Sequence, residues 1–456
     1  MVAGDTIAAI ATAPGRGGVA VIRVSGPEAF GVAERLTGRA AAPGRVQFAR
    51  LRGLPSSVSC PLPKDGRQKT SDVLDEGIVL AFRAPRSYTG EDVVEFQCHG
   101  GAVTPRRVLE ACLAAGARLA RRGEFTERAF LNGKLDYDQA ESVLDLVDAK
   151  TSRAADAALE GLSGRRRRAL RALYETALDL STRLEHALDV DEGELPAGFL
   201  PSVTSSVSRL AFSLRDAVRR AAEGRLLKGG ALVVLAGPPN AGKSSLMNAL
   251  LETNRAIVSD VPGTTRDSIE EWIDLGGWPI RLVDTAGLHE TEDGIEAEGV
   301  KRAEDLIARA DVVLWLSSTS PTPHSSLLTP YSSLLTPHSS LLIHPKCDLG
   351  RGEGLNVSAK TGEGLEDLKR AIVARLEEKV GQGDSGEAPE GDVVAVREAL
   401  ALLDGGRETG GLGREEDLVL LANAVRAAAE RLGAAIGATY SADMLDNLFS
   451  RFCIGK

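Results

Sequence analysis

The pattern of apolar and polar positions separates strand-like from helix-like stretches along the chain. From residue 5 to about residue 123, short alternating apolar runs such as VAVIRV and DVVEFQC are separated by Gly and Pro, with a helical stretch near residues 108–115. Ala-, Leu-, Arg- and Glu-rich stretches with helical periodicity occupy about 138–223 and return from about 392 to the end. The pattern predicts a small α+β domain and a helical domain in two separated segments.

The middle third has a different pattern. The runs ALVVLAG, EEWIDL, PIRLVD and DVVLWL are strand-like and alternate with helical segments, which is typical of βαβ units and a mostly parallel sheet. The polar run GQGDSGEAPEGD has too few apolar residues to pack and reads as the exit linker. We therefore predict a multidomain protein with an inserted α/β domain. Its predicted divisions are 1–123 (α+β), 124–225 with 385–456 (helical) and 226–380 (inserted α/β).

Residues 325–345 contain a seven-residue tandem repeat, SSLLTPY, SSLLTPH and SSLLIHP. Its Leu pairs recur at a spacing that suits a helix, but Pro330 and Pro337 would each break that helix at a cost of about 3 kcal/mol. We expect an irregular or disordered segment over residues 325–345.

Composition narrows the protein class. The chain has 456 residues and a net charge of −10, so as a whole it is not a nucleic-acid coat. Its five cysteines are scattered and form no CxxC pair, which argues against a disulfide framework and favours a reducing compartment. The first residues lack a basic lead, and no apolar run approaches the span of a bilayer. We expect a cytoplasmic protein that does not enter a membrane.

A phosphate-binding loop follows the strand-like run ALVVLAG. Residues 237–244 spell GPPNAGKS and precede the helical stretch KSSLMNALL. Glycines in this motif let backbone N–H groups surround phosphates, Lys243 supplies a positive charge to the β and γ phosphates, and the Ser244 hydroxyl ligates Mg²⁺. We predict nucleotide contacts from Asn240, Ala241, Gly242, Lys243, Ser244 and Ser245.

Two further segments have the order and chemistry of nucleotide switches. Thr264 and Thr265 lie in GTTRD, and in a GTPase a Thr at this point closes over Mg²⁺ and the γ-phosphate. Asp284 ends the run PIRLVD and opens Asp284-Thr285-Ala286-Gly287, which places a carboxylate near the Mg²⁺ water shell and an amide near the γ-phosphate. The set predicts a Ras-like P-loop GTPase.

The residue after this second switch motif is Leu288, whereas Ras-like proteins have a water-orienting Gln there. An apolar side chain cannot orient water, so hydrolysis needs a polar group from elsewhere. The nearest acids are Glu290, Glu292, Asp293, Glu296 and Glu298, and their spacing does not choose among them.

A damaged guanine-reading motif follows the repeat. An NKxD motif uses its Asp to pair with the guanine edge and its Asn to hold the loop, and here it reads Pro345-Lys346-Cys347-Asp348. Lys346 and Asp348 are kept, and the later run Ser358-Ala359-Lys360 is similar to the loop that supports the base. The chain should still select guanine, but with a missing side-chain amide.

With these residues in hand, the whole chain resembles the bacterial tRNA-modification GTPases of the MnmE (TrmE) family. The flanking segments DTIAAIATAPGRGGVAVIRVSG, YTGEDVVEFQCHGG, RRGEFTERAFLNGKLD and the terminal FCIGK are similar to that family outside its GTPase module. The resemblance implies an N-terminal folate-binding and dimerisation domain, hence a homodimer. It also implies a flavoprotein partner of the MnmG type, and a carboxymethylaminomethyl-type group added at C5 of the wobble uridine of tRNA with a tetrahydrofolate one-carbon unit.

The resemblance also assigns roles to individual residues. It implies folate contacts from Arg23, Glu95, Lys134 and Lys456, and it implies that Glu296 is the acid that orients the attacking water. The family's potassium site, which would serve in place of an arginine finger, falls on Asn240, Ser259, Val261 and Thr264.

Two assignments stay open at this level. Cys453 is either a residue of the modification chemistry or a buried small hydrophobe between Phe452 and Ile454. The rival functions are a ribosome-assembly or other regulatory GTPase without folate chemistry, and a degraded nucleotide switch with weak turnover.

Overall fold

The computed structural model describes most of the chain. The described residues are 4–53, 73–189, 195–196, 198–253, 270–285, 296–317, 340–383, 392–407, 415–436, 445 and 448–456, without the side chains of 296–302, 406–407 and 415–416. The chain divides into two compact units, Met1–Leu144 with Thr439–Lys456, and Asp145–Ala438.

The first unit is a sheet covered by helices. Its strands are hydrogen-bonded in the order β3-β4-β5-β2-β1-β6 and are antiparallel except for the parallel pair β1–β6. The strands are β1 (Ile7–Ile10), β2 (Val19–Ser25), β3 (Val46–Arg52), β4 (Val73–Phe82), β5 (Val93–His99) and β6 (Arg118–Leu119). The helices are α1 (Ala29–Thr37), α2 (Thr104–Ala114) and α3 (Glu124–Leu131), and α4 (Tyr137–Asp148) begins in this unit.

The alternating pattern of β2 explains how this sheet holds its helices. Ala20, Ile22 and Val24 point to one face and are fully or almost fully buried, together with Val32 of α1 and Val108 of α2. Successive side chains of a strand point to opposite faces, so Arg23 lies on the other face. The predicted α+β architecture of this segment is confirmed.

A buried ion-pair network stabilises the start of α3. Glu124 is only 2% exposed and accepts hydrogen bonds from the guanidinium groups of Arg118, at 2.5 and 2.8 Å, and Arg128, at 3.1 Å, and from the Arg121 N–H at 2.8 Å. Burial alone would raise the pKa of Glu124, but these donors outweigh it and lower the pKa to about 2. The carboxylate therefore stays charged when buried.

The second unit contains a helical bundle. Helices α6, α7, α11 and α12 share one apolar core that includes Leu180, Leu214, Leu403 and Val425, as their Leu and Ala spacing predicts. The helices of this unit that flank the second sheet in sequence are α5 (Ser152–Leu162), α6 (Arg165–Leu188), α7 (Phe199–Gly229), α11 (Asp392–Arg407) and α12 (Glu415–Ile436). No helix among the described residues is both long and apolar enough to cross a membrane.

The second sheet lies between α7 and α11 in sequence and has helices on both faces. Its strands follow the order β12-β11-β10-β7-β9-β8 and are parallel except for the antiparallel pair β8–β9. The strands are β7 (Ala231–Ala236), β8 (Glu270–Leu275), β9 (Trp278–Asp284), β10 (Val312–Leu316), β11 (Ser340–Pro345) and β12 (Leu355–Val357). The helices are α8 (Lys243–Thr253), α9 (Glu296–Arg309) and α10 (Leu365–Gly381), which confirms the predicted α/β class.

One expectation for this sheet is wrong. We expected residues 325–345 to be irregular, but 340–345 form β11, which pairs with β10 and β12. Leu341 and Ile343 are buried there because they alternate into the sheet core, and Pro345 stands at the strand end. Residues 325–339 lie outside the described residues.

Asp311 joins the second sheet to α7, the helix before it in sequence, and to α10, the last helix of the inserted segment. Its carboxylate is 4% exposed and accepts hydrogen bonds from Arg225 of α7 and Lys379 of α10, each at 2.8 Å, and from the Leu232 N–H at 2.9 Å. One carboxylate therefore binds both the helix that precedes the sheet in sequence, α7, and the helix that follows its last strand, α10.

Candidate functional site

The phosphate-binding loop follows β7 at the carboxyl edge of the second sheet. Gly237 has a φ of 142° and Gly242 a φ of 98°, a region that disfavours residues with a Cβ. A Cβ added at Gly237 would lie 2.5 Å from the Leu316 carbonyl oxygen, so only glycine allows the loop to pass β10 this closely. The loop leads into α8 through a hydrogen bond from the Leu246 N–H to the Gly242 carbonyl oxygen at 2.9 Å.

Lys243 is buried under this loop. Its ammonium group donates to the carbonyl oxygens of Gly237 at 2.9 Å and Pro238 at 3.0 Å. Burial lowers the pKa of Lys243, and the nearby carboxylate of Asp284 opposes that change. A cation is thus held against the loop that the sequence predicts for phosphate.

Ser244 and Asp284 form the oxygen-rich part of the site. The Ser244 hydroxyl donates to Asp284 Oδ2 at 2.7 Å, and Asp284 is 3% exposed at the end of β9. Next to it, the Thr285 hydroxyl donates to the Leu235 carbonyl oxygen at 2.9 Å. A hydroxyl and a carboxylate are ligands that suit Mg²⁺, which usually takes the rest of its shell from water and substrate phosphates. The described residues contain no group of three or more His, Cys, Asp or Glu that could hold a metal ion.

Several predicted site residues lie where the structure gives no side-chain geometry. Glu296 is the first residue of α9, and its side chain is outside the described part. Asn240 is described and has a φ of 60°, a left-handed conformation that Asn tolerates better than most residues. The predicted residues outside the described part are Ser259, Val261, Thr264, Thr265, Ala286 and Gly287.

A cavity of about 270 Å³ lies between the phosphate-binding loop and the guanine-reading motif. Asp348 faces it, and its Oδ1 accepts a hydrogen bond from the Ser358 hydroxyl at 2.6 Å. That hydrogen bond is the main cause of the lowered pKa of Asp348. The structure therefore brings the predicted base-reading residues together around one space. The predicted residues that line it are Gly242, Ser245, Lys346, Asp348, Ser358, Ala359 and Lys360.

The backbone conformation of the guanine-reading loop is unusual. Lys346 has a φ of 57°, and its ammonium group donates to the Asn240 carbonyl oxygen at 3.2 Å. A non-glycine residue in this region is uncommon and often marks a functional loop. Lys346 thereby links the guanine-reading loop to the phosphate-binding loop.

Pro345 is buried in the wall of the same cavity, in register with Val357 of β12. It offers no side-chain amide for the loop, as the sequence predicts. Sequence reasoning missed its neighbour His344, whose ring contacts the same loop. The sequence offers one signal for His344, which is its position directly before the altered guanine-reading motif.

The first unit brings two of the predicted folate-contacting residues together. Arg23 Nε donates to Glu95 Oε1 at 2.8 Å, across the β2–β5 register in which these residues are directly paired. The Arg23 guanidinium lies 5.2 Å from the ring centre of Tyr88 and 5.7 Å from that of Phe125. Tyr88 and Phe125 carry no signal for this role in the sequence, because their approach to Arg23 depends on the fold.

The other two predicted folate contacts lie on different segments of the first unit. Lys134 donates to the Pro85 carbonyl oxygen at 3.2 Å, on the loop that carries Tyr88. Lys456 ends a tail that runs against β1, where a Cβ added at Gly455 would lie 2.2 Å from the Ile10 carbonyl oxygen. The tail thus passes one strand away from Arg23, since β1 pairs with β2.

Cys453 lies in the same tail. Its side chain is exposed, whereas Phe452 is fully buried. The buried alternative for Cys453 is therefore wrong, and its part in the modification chemistry stays a prediction.

Comparison with known families matches nearly all of this chain. Residues 6–134 match the family described as GTP-binding protein TrmE N-terminus, and residues 138–453 match the family described as MnmE helical domain. A tRNA modification GTPase MnmE from Symbiobacterium thermophilum is 41% identical over 477 residues, covering 99% of each chain. One from Heliobacterium modesticaldum is 40% identical over 484 residues, covering 99% of this chain and 100% of that protein.

Among solved structures, the G domain of the T. maritima FeoB iron transporter is 29% identical and covers 32% of this chain and 98% of its own. Its TM-score of 0.25 is too low to bear on the fold.

Proposed function

Because this chain belongs to the MnmE (TrmE) family of tRNA modification GTPases, we propose that it hydrolyses GTP with Mg²⁺ and potassium to drive modification of the wobble uridine. Membership makes it a GTP hydrolase that acts in tRNA modification. We propose in addition which ions and which folate the chain binds, which partner protein it acts with, and which residues carry each role.

One observation carries the nucleotide part of the proposal. The buried Lys243 ammonium, the Ser244–Asp284 pair and the Asp348 cavity all follow parallel strands of one sheet, at the carboxyl ends of those strands. Ligands of open α/β sheets bind at this edge. The site therefore has a phosphate end and a guanine end that a single nucleotide can span.

The residues at the phosphate end fit GTP and Mg²⁺. The Lys243 ammonium would exchange its loop carbonyls for β and γ phosphate oxygens, which are stronger acceptors because they are charged. The Ser244 hydroxyl would bind Mg²⁺ directly, and Asp284 would orient a water on the metal. Bound Mg²⁺ offsets charge on the phosphates.

At the guanine end, the Asp348 carboxylate would accept from the ring N–H and exocyclic amine of guanine, while the backbone at Ala359 supports the base. Adenine presents no such pair of donors, so this carboxylate selects GTP over ATP. We assign water orientation to Glu296, and potassium contacts to Asn240, Ser259, Val261 and Thr264. A cation beside the β and γ phosphates would offset charge that develops during hydrolysis.

We propose the first unit as the folate site. The Arg23–Glu95 pair offers a cation and a carboxylate to a polar heterocycle, and Tyr88 and Phe125 offer aromatic surface beside it. Lys134, Lys456 and Cys453 would complete this region. The sequence divisions 1–123, 124–225 with 385–456, and 226–380 are kept as the proposed folate-binding, helical and GTPase domains.

We further propose that the chain acts in the cytoplasm as a homodimer with an MnmG-type flavoprotein. The tetrahydrofolate derivative supplies the one-carbon unit for the group added at C5 of uridine in tRNA. These statements rest on family membership alone.

Potassium-dependent GTP hydrolysis tests the nucleotide part. We expect the purified protein to hydrolyse GTP faster in potassium than in sodium, and Asn240→Ala to lose that difference while keeping a slow basal rate. Equal rates in both salts for the parent protein would refute the potassium assignment. A parent that binds GTP but fails a single-turnover assay would favour a degraded switch, the reading that Pro345 motivates.

Folate binding tests the other part and separates this proposal from a ribosome-assembly GTPase. We expect 5-formyltetrahydrofolate to bind the parent protein, and Arg23→Ala to bind it more weakly with unchanged GTP hydrolysis. No folate binding by the parent protein would remove the folate chemistry from the proposal.

A further inference from the structure

The guanine-reading loop lacks the side-chain amide that its motif normally supplies, yet the loop is held at both ends. Lys346 holds its first end through the Asn240 carbonyl oxygen. At the other end, Nε2 of His344 lies 3.1 Å from the Gly350 carbonyl oxygen. Asp348 stands between these two attachments.

The His344 ring is itself fixed from the neighbouring strand. Its Nδ1 lies 3.4 Å from the Ser317 hydroxyl, directly after β10. Ser317 is held in turn, because its N–H and its hydroxyl both donate to the Ile343 carbonyl oxygen at 2.9 and 3.1 Å. The ring therefore bridges the end of β10 and the far side of the guanine-reading loop.

The chain packs closely around this ring. A Cβ added at Gly352 would lie 2.3 Å from Nδ1 of His344, so the backbone passes against the ring at a distance that only glycine permits. Gly352 is also fixed by Asn356, which accepts from its N–H at 2.9 Å and donates to its carbonyl oxygen at 3.0 Å. A ring surrounded in this way has a defined orientation.

The partner of Nε2 determines which nitrogen of the His344 ring carries the hydrogen. The Gly350 carbonyl oxygen can only accept, so Nε2 of His344 must carry the hydrogen. Nδ1 of a neutral ring is then an acceptor, and it shares the single hydroxyl hydrogen of Ser317 with the Ile343 carbonyl oxygen. His344 thus acts toward the loop as a donor, which is the property that Pro345 lacks.

We propose that His344 is a positioning residue for guanine recognition, which replaces the missing amide at Pro345 by holding the loop at Gly350 so that Asp348 faces the base. This inference rests on the proposed GTPase function. It concerns a residue that touches no nucleotide and acts through the carboxylate of Asp348.

Two conservative variants separate the donor at Nε2 from the rest of the ring. The amide nitrogen of Gln lies about as far along its side chain as Nε2, so His344→Gln keeps a donor for the Gly350 carbonyl oxygen. The amide of Asn ends near the position of Nδ1, so His344→Asn reaches only toward Ser317. His99→Asn, in the first unit, is the matched control because His99 is an exposed partner of Asp75.

Calorimetric titration of the full-length variants with GDP and with inosine diphosphate measures the effect. Losing one hydrogen bond typically weakens binding by about two- to tenfold. We expect that loss for GDP in His344→Asn, and parent-like affinity in His344→Gln and His99→Asn. Inosine diphosphate lacks the exocyclic amine that Asp348 reads, so its affinity should fall less and the GDP-over-inosine-diphosphate ratio should drop.

The outcomes distinguish this inference from its foundation. Parent-like GDP affinity in His344→Asn would overturn the inference and leave the GTPase proposal standing. Equal losses in the Asn and Gln variants, with an unchanged nucleotide ratio, would show a structural role only and would also overturn it. A parent protein that binds neither GDP nor GTP would overturn the proposed function and this inference together.

Discussion

Replacing Asp311 with alanine should destabilise the second sheet, because one carboxylate there serves three donors. Asp311→Ala removes the partner of Arg225, of Lys379 and of the Leu232 N–H. The two cations cannot simply leave, since their side chains are only 26% and 14% exposed. The variant therefore leaves two charges partly buried without a counterion.

The size of the effect follows from that burial. Removing one partner of a buried ion pair typically destabilises a protein by about 3–5 kcal/mol, because the remaining charge is uncompensated. Water reaches Arg225 in part, so we expect the lower end, about 3 kcal/mol. For a domain of this size, 1 kcal/mol shifts the melting temperature by roughly 2–4 °C, which predicts a decrease of roughly 6–12 °C.

Tryptophan fluorescence isolates the transition of this sheet. The three tryptophans of the chain are Trp272, Trp278 and Trp315, and all lie on its strands. Their emission during heating or urea unfolding therefore reports on the second sheet and not on the first unit. This matters because a multidomain protein does not unfold in one step.

The matched control is Asp216→Ala on α7. Asp216 also pairs with two arginines, Arg219 and Arg220, but its side chain is 26% exposed and lies on the helix surface. Such pairs contribute about 0–1 kcal/mol. If Asp311→Ala lowers the melting temperature no more than Asp216→Ala does, the reasoning from burial is wrong.

Four further changes test the site and the first unit. Lys243→Ala should abolish nucleotide binding because the phosphate charge loses its cation, whereas Glu296→Ala should bind GTP normally and lose turnover; calorimetry and phosphate release measure these. Pro345→Asn should tighten GDP and GTP by up to about tenfold, less the part that His344 already replaces, with little change in preference over ADP because Asp348 is kept; titration with GDP and ADP measures this. Glu124→Gln should destabilise the region of α3 above about pH 4.5, with the difference vanishing toward pH 2; hydrogen exchange of residues 118–131 at each pH measures this.

The sign of the pH effect follows from the lowered pKa of Glu124. A carboxyl group whose pKa falls from 4.5 to about 2 on folding stabilises the folded state above its ordinary pKa. That stabilisation is lost as the pH falls through the folded value. A difference between Glu124→Gln and the parent that persists unchanged at pH 2 would contradict the network.

Unchanged hydrolysis in Glu296→Ala would move the water-orienting role to another acid of the run. Equal GDP affinities for Pro345→Asn and the parent would mean that another contact already compensates for the missing amide. His344 is the residue from which that compensation is expected.

Local patterns predicted much of the fold. The alternation in VAVIRV places Ala20, Ile22 and Val24 in the core because period two is a property of any strand. The phosphate-binding loop was equally readable, since Gly237 and Gly242 are required by the backbone itself. In both cases the local structure is determined by residues that are close together in the sequence.

What the sequence could not predict depends on distant partners. The proline in each copy of the repeat predicts an irregular segment at β11, whereas its pairing with β10 and β12 decides its structure. Asp311 looks like an ordinary acid before an apolar run, and its two cations lie 86 and 68 residues away in sequence. Tyr88 beside Arg23 is a contact of the same kind.

The attachment at Asp311 also bears on how such an insertion can be accommodated in evolution. Arg225 lies near the end of the helix that enters the inserted sheet, and Lys379 lies near the end of the helix that leaves it. Because both bind one oxygen of Asp311, the two points of entry and exit lie side by side. The two ends of the inserted domain are therefore already close together. Lengthening that domain adds little to the entropic cost of closing it as a loop of the helical bundle. A nucleotide-binding module could be gained, exchanged or lengthened at this point without redesign of the bundle that holds it.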